Sequence, residues 1–500
     1  MLKSPEMNRR AFLHAGAMAG GGLLLAPRHG LSRAVPASSP ASEVPAGAPK
    51  YTVRIGTGLV ELAPDHIIST TTYNGQFPGP LLRFKEGQQA VVDIYNDTDT
   101  PEQLHWHGQF LPVDVDGAAE EGTPYIPAHG MRRIALTPRP AGFRFYHTHL
   151  MARDNLNAGQ YSGQVGPVYI APEQEPGAYD QEVFLVLKEF QPSFSRGGDM
   201  AMDFLAPAGR VKTLEDAGES ATKASLARGT PHGYEVGYSL FSINGRMLGH
   251  GEPIRVKRGQ RVLMHVLNGS ATEIRSLALP GHRFKVVALD GNAVPKPAEV
   301  PVLWIGTGER VSAIVEMDRP GVWVLGDLDD DDRKAGMGII VEYAGRNGEP
   351  QWVKAAPFHW DYTRFAAPGA TAHAPDEVIE MTFAKRNGAE HGFNAWTIND
   401  IPFSMEKMEP MFQLRQGKRY RWRMRNASDD IHPMHMHRHS FELTRIAGKP
   451  TAGLIKDVVM LGGYQEVEVD FTADSPGLTL FHCHMQLHMD FGFMGLFNCA

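Results

Sequence analysis

Three segments of the chain repeat a single frame, and that repeat confines the fold to three like domains in series. They are Arg83-Phe84-Lys85-Glu86-Gly87-Gln88, Val256-Lys257-Arg258-Gly259-Gln260 and Leu414-Arg415-Gln416-Gly417-Lys418. Each glycine opens an alternating stretch that ends in asparagine nine residues later, at Asn96, Asn268 and Asn426. Alternation such as Ala90-Val91-Val92-Asp93-Ile94 or Tyr420-Arg421-Trp422-Arg423-Met424 predicts a half-buried strand entered from a glycine turn. The glycines lie 172 and 158 residues apart, so each copy is the size of a whole domain. With 53 Gly and 36 Pro, the 500-residue chain is punctuated for short strands rather than long helices, which predicts an all-β protein.

The copies differ downstream of the asparagine. Nine and eleven residues on lie His105 and His107 in the first copy and His435 and His437 in the third, but Leu277 and Leu279 in the second. A second mark is Gly142, Gly321 and Gly477. Five and seven residues beyond it stand His147 and His149, then Gly326 and Leu328, then His482 and His484. The first and third copies are thus expected to face one another across a shared site, with the middle copy as a spacer.

Eleven of the 22 histidines fall within 21 residues, at 105–107, 147–149, 432–439 and 482–488. On a strand, residues i and i+2 share a face, so each His-x-His is expected to aim two imidazoles at one point. Imidazole suits copper, zinc, iron and nickel alike. The segment His482-Cys483-His484 narrows the choice. It turns Cys483 to the opposite face of its strand, where His488 and His432 are within reach. Two histidines and a thiolate form a blue-copper electron-transfer set, and Cys483 then bridges covalently to the histidines on either side.

With those residues the chain resembles the multicopper oxidases of three-domain laccase type. The matching motifs are His105-Trp106-His107-Gly108, His147-Thr148-His149, His432-Pro433-Met434-His435-Met436-His437 and His482-Cys483-His484-Met485-Gln486-Leu487-His488, in the family's order. The resemblance implies three cupredoxin-like Greek-key β-sandwich domains and four copper ions. His432, Cys483 and His488 would hold the type 1 copper, His105 and His435 the type 2 copper, and His107, His147, His149, His437, His482 and His484 the type 3 pair. It implies an oxidase that takes four single electrons from a small reducing substrate and passes them through Cys483, His482 and His484 to O2, which leaves as water. His439 matches no ligand position.

Several positions bear on substrate and protons. Where the family often has Met or Leu after the glycine beyond the last type 1 histidine, Gly492 is followed by Phe493, with Met494 next. A non-coordinating Phe493 at the axial position favours Cu(I), raises the potential and leans toward phenols or aromatic amines. Met405, Met408 and Met411 leave a metal-ion oxidase, Cu(I) first, as the alternative. Asp116 matches a family acid that supports the type 2 copper and its proton traffic. Where many relatives carry an acid directly after the last type 1 histidine, this chain has Met489, with Asp490 next, so either Asp116 or Asp490 is expected to relay protons. Cys499 matches nothing and is expected to be a free thiol.

At the N-terminus, Asn8-Arg9-Arg10-Ala11-Phe12-Leu13 precedes a weakly apolar run from Ala15 to Ala26. That pattern predicts a twin-arginine export signal over 1–37, engaging the export machinery, and a flexible leader over 38–50. The run is too short to span a bilayer. Domains are expected over 51–175, 176–346 and 347–500, working as a monomer in the periplasm or outside the cell. A formal charge of −7 disfavours a nucleic-acid partner.

Overall fold

The computed structural model describes residues 45–173, 178–195 and 233–500. The twin-arginine segment lies outside them. Among the described residues the chain builds six sheets in three pairs, and no helix is long and apolar enough to cross a membrane.

In the first pair, one sheet orders the strands His66–Tyr73, Tyr51–Ala63, Ala90–Asn96 and Met131–Leu136. The other orders Leu82–Lys85, Val165–Ala171, Gly142–His147 and His105–His107. Val53, Ile55, Val92 and Ile94 of the first sheet share one core with Trp106, Tyr146, Val168 and Ile170 of the second, which makes the pair a sandwich. Trp106 explains the spelling of its motif. Alternation sends the histidines to one face and the indole to the other, where it is fully buried with its ring 6.2 Å from Phe84 and 5.9 Å from Tyr146. Truncating a buried tryptophan costs about 3–5 kcal/mol, so the same three residues anchor the strand and present the site.

The third pair repeats this plan. Its second sheet orders Phe412–Leu414, Met494–Cys499, Gly477–Cys483, His432–Met436 and Val458–Leu461. His435 sits opposite His482 as His105 sits opposite His147. In the middle pair, Arg275–Ala278 and Val322–Asp327 occupy the equivalent slots, between Gly338–Tyr343 and Val302–Ile305. There the pairing is slipped by one residue, Leu277 facing Asp327 rather than Gly326. Leu277 and Leu279 are buried in the hydrophobic core instead of lining a site.

Candidate copper centre

Among the described residues, five close-set groups of ligand atoms emerge, each within 4.8 Å: His105, His107 and His435; His107, His147 and His484; His149, His437 and His482; His105, Asp116 and His437; and His432, Cys483 and His488. All these side chains are buried. The expectation that each His-x-His aims at a single point is corrected here. His147 parts from His149, His435 from His437 and His482 from His484, each falling into different groups. The reason is local. Only His105–His107 lies wholly within a strand, whereas the strands Gly142–His147, His432–Met436 and Gly477–Cys483 end between the two members of a pair. Leaving the pleat frees the second histidine to diverge.

The ring nitrogens divide into outward and inward sets. Outward, Nδ1 of His105 and of His437 each lie 3.0 Å from Asp116 Oδ2. His435 Nδ1 donates to the Asp457 carbonyl at 2.7 Å, His147 Nδ1 to the Thr148 carbonyl at 2.7 Å and His482 Nδ1 to the Cys483 carbonyl at 2.8 Å. His107 reverses the pattern, its Nε2 lying 3.1 Å from Asp457 Oδ1. Inward, His437 Nε2 and His482 Nε2 approach to 3.0 Å, His149 Nε2 and His482 Nε2 to 3.5 Å, and His107 Nδ1 and His484 Nε2 to 3.3 Å. Nε2 of His105, His147 and His435 is buried without a partner. Burial, with the neighbouring imidazoles, holds His107, His147, His435, His437, His482 and His484 well below the usual histidine range, so they are neutral. A neutral ring that donates outward presents a bare lone pair inward. Bare lone pairs converging among buried side chains repel until a cation joins them, so the donor set fits a metal cluster.

The remaining group mixes sulfur and nitrogen. Cys483 Sγ is 3.8 Å from His432 Nδ1 and 3.5 Å from His488 Nδ1, and those nitrogens are 3.3 Å apart. Ser428 Oγ lies 3.0 Å from His432 Nε2 and fixes that ring. Burial pushes the Cys483 thiol far up and His488 down to about 3. Trp396 lies over both rings, 4.3 Å from His488 and 4.8 Å from His432 by centroid. Phe493 fills the flank, its ring 4.8 Å from His432. Pairing His482 with Met494 turns Met494 to the far face, where it packs with Leu480, Met489 and Leu496.

The two acids named from sequence part company. Asp116 touches two histidines. Asp490 is turned away, accepting from the backbone N–H groups of Ala152 and Arg153 and from the Gln486 amide, and burial raises it to about 7. His439 is buried, with Nδ1 3.2 Å from the His437 carbonyl, and joins no ligand group. Cys499 is a free, buried thiol on the Ala473 carbonyl. Met408 is 42% exposed, while Met411 is half-buried with its sulfur beside Gly495.

Sequence reasoning missed Glu120, Glu121, Arg144, Arg310, Trp396 and Asp457. Glu121 Oε1 is 3.3 Å from His437 Nδ1, and burial beside Asp116 raises its carboxyl well above the usual range. Glu120 Oε2 is 3.3 Å from His149 Nδ1. Their closeness in sequence to Asp116 was the one available signal. The middle sandwich is also more than a spacer. Its Arg310 reaches Asp457, and its Gly308 lies against His484, where a Cβ would come within 2.8 Å of the ring.

Three sandwiches, a sulfur–nitrogen site and an adjoining cluster of eight histidines define a copper-dependent oxidase of cupredoxin build. The chain belongs to the multicopper oxidase family, whose models match residues 58–175, 215–342 and 371–500. It is 27% identical to the multicopper oxidase MmcO of Mycobacterium tuberculosis over 97% of this chain and 95% of that one. It is 24% identical to Laccase-3 of Thanatephorus cucumeris over 91% of each. Its fold matches the crystal structure of Fet3p, a multicopper oxidase that functions in iron import, with a TM-score of 0.72, 18% identity and 90% of each chain covered.

Proposed function

We propose that this is an exported, laccase-like oxidase of phenols or aromatic amines that carries four coppers. His432, Cys483 and His488 would hold the type 1 copper, with Phe493 beside them donating nothing. His105 and His435 are the type 2 ligands, and His107, His147, His149, His437, His482 and His484 hold the type 3 pair. The observation that carries this reading is the convergence of bare imidazole nitrogens on either side of a buried cysteine that is their neighbour in the chain. Copper, when bound, supplies one-electron transfer from substrate and the four-electron reduction of O2 to two waters.

The chain's own residues do the rest. Trp396 and Phe493 keep water off the sulfur–nitrogen site, and His488, at 4% exposure, is its edge toward substrate. Cys483 joins that site to His482 and His484 through the backbone, and its carbonyl also accepts from His482 Nδ1. Asp116 orients His105 and His437 together. Glu121, whose carboxyl is pushed up by burial and by Asp116, lies 3.3 Å from His437 Nδ1 at the pocket wall, placed to pass on protons of the four that the reaction consumes.

Oxygen uptake by the copper-loaded protein on a methoxyphenol and on Cu(I), at equal concentrations, tests the substrate. The expected result is activity tens of times higher on the phenol, abolished by Cys483→Ser. The reverse order establishes the second reading, Cu(I) oxidation. The exposed Met408 thioether favours that reading, on a segment whose Phe403 N–H donates to the Gly492 carbonyl at 3.1 Å.

A further inference from the structure

Asp457 stands where all three sandwiches meet, and it is fully buried. Arg310 of the middle sandwich grips it with both arms, Nη1 to Oδ1 at 2.6 Å and Nη2 to Oδ2 at 2.7 Å. Arg144 of the first sandwich adds a bond from Nη1 to Oδ2 at 3.1 Å. Both arginines are themselves fully buried. They are tied to backbone carbonyls, Arg310 to those of Phe143, Gly308 and Asp290 and Arg144 to those of Pro140, Ala141 and Asp290. A bidentate guanidinium–carboxylate pair fixes orientation as well as distance, so the Asp457 carboxylate has little freedom to turn.

Two ligand histidines lean on this fixed group. Oδ1 is 3.1 Å from His107 Nε2, and the Asp457 carbonyl accepts from His435 Nδ1 at 2.7 Å. The two rings are stacked, with centroids 3.7 Å apart and planes at 10°. A neutral His107 carries one N–H, and a carboxylate is the acceptor that claims it. The proton therefore sits on Nε2 and leaves Nδ1 to face His484, the reverse of the other rings. The backbone leaves the clamp room, because a Cβ on Gly108 would come 2.6 Å from Asp457 Oδ2 and 2.8 Å from Arg310 Nη2.

We propose that Asp457, clamped by Arg144 and Arg310, is a positioning residue that sets the tautomer of His107 and the tilt of His435, and so makes metal capture in the histidine cluster depend on all three sandwiches. The middle sandwich, which supplies no ligand, then takes part in the site through Arg310. This rests on the assignment of those histidines as copper ligands.

The test compares wild type with Asp457→Asn, Arg310→Met and Arg310→Lys, reconstituted with copper. It reads copper per chain, the visible thiolate–copper absorption, the paramagnetic resonance spectrum and denaturant unfolding of the metal-free chains. In Asp457→Asn the amide cannot accept from both arginines and from His107. The expected result for Asp457→Asn and Arg310→Met is an intact thiolate absorption with cluster copper bound about 10–100-fold more weakly. Arg310→Lys, which keeps the charge but not the fork, is expected to fall between. Four coppers and an unchanged spectrum in both severe variants overturn the proposal. Loss of the thiolate absorption as well, in metal-free chains that have come unfolded, also overturns it, because the clamp then serves only the fold. A wild-type chain that shows the thiolate absorption but binds a single copper sinks the histidine-cluster assignment itself, and the clamp proposal with it.

Discussion

The Nε2 atoms of His437 and His482 lie 3.0 Å apart, while the Nδ1 of each is engaged, one at Asp116 Oδ2 and the other at the Cys483 carbonyl. With both rings neutral, two lone pairs point at each other among buried side chains. A cation between them relieves that repulsion. Chelating the metal is therefore expected to lower stability, by about 2.7 kcal/mol per site when free copper stands at a hundred times its dissociation constant. Calorimetry of the same preparation before and after chelation, with copper re-added as the control, measures it.

Metal uptake at Cys483 is expected to depend on pH in one direction only. The thiol is pushed far up by burial and must lose its proton to bind, whereas His432 is held well below the usual range and His488 lies at about 3. Above about pH 4 both imidazoles are already free to ligate, so one proton leaves per copper. The apparent affinity should rise about tenfold per pH unit through the neutral range. Competition with a chelator of known pH dependence, followed by the thiolate absorption, gives the slope.

Phe493→Met is expected to lower the type 1 potential. The register turns residue 493 toward Cys483, and its backbone is pinned by a bond from the Cys483 N–H at 3.1 Å and one to the His488 carbonyl at 3.0 Å. A thioether there favours Cu(II), and each tenfold change in relative affinity for the two oxidation states moves a one-electron potential by about 59 mV. Potentiometric titration of the visible band reads the shift. No change would show that the side chain at 493 does not reach the metal.

The repeat was legible because its marks are backbone necessities. Gly87, Gly259 and Gly417 adopt φ of 70°, 80° and 81° at the turn, and Asn96, Asn268 and Asn426 each tie the following loop through their side-chain amides, to the carbonyls of Thr100, Glu273 and Asp430. The histidine-bearing segments were legible because ligands must be histidine or cysteine at short spacing. That the two members of a His-x-His part company did not follow from strand alternation, because it turns on where strands end, and strand ends depend on pairing rather than composition. Asp457 and Arg310 were invisible for a different reason. An arginine and an aspartate 147 positions apart carry no local pattern, and only the docking of three sandwiches makes them partners.

Gly308→Ala is expected to damage the cluster from the ligand-free sandwich. Gly308 has φ of 77°, and a Cβ would meet Cδ2 and Nε2 of His484 at 2.8 Å. The His484 ring cannot easily give way, since its backbone N–H is held by the Pro433 carbonyl at 2.7 Å. An alanine in the left-handed region adds about 1 kcal/mol of strain. Copper analysis should show loss from the cluster with the thiolate absorption retained.

Glu235→Gln tests how far buried carboxylates set the pH range of the fold. Glu235 accepts from the Asn394 amide at 3.1 Å, and burial, then the charge of Asp430, raises its carboxyl to about 8. In the unfolded chain it titrates near 4.3. Between those two values the native state holds a proton that the unfolded state has released. Stability therefore falls as pH rises through that window and levels off above it. Glutamine keeps the acceptor oxygen and removes the titration. The variant should match wild type near pH 4.5 and exceed it above pH 8 by up to about 5 kcal/mol. Denaturant unfolding of the metal-free chains across pH separates this from metal effects, and a parallel pH dependence in both chains would show that Glu235 ionises in the folded state as freely as in the unfolded one.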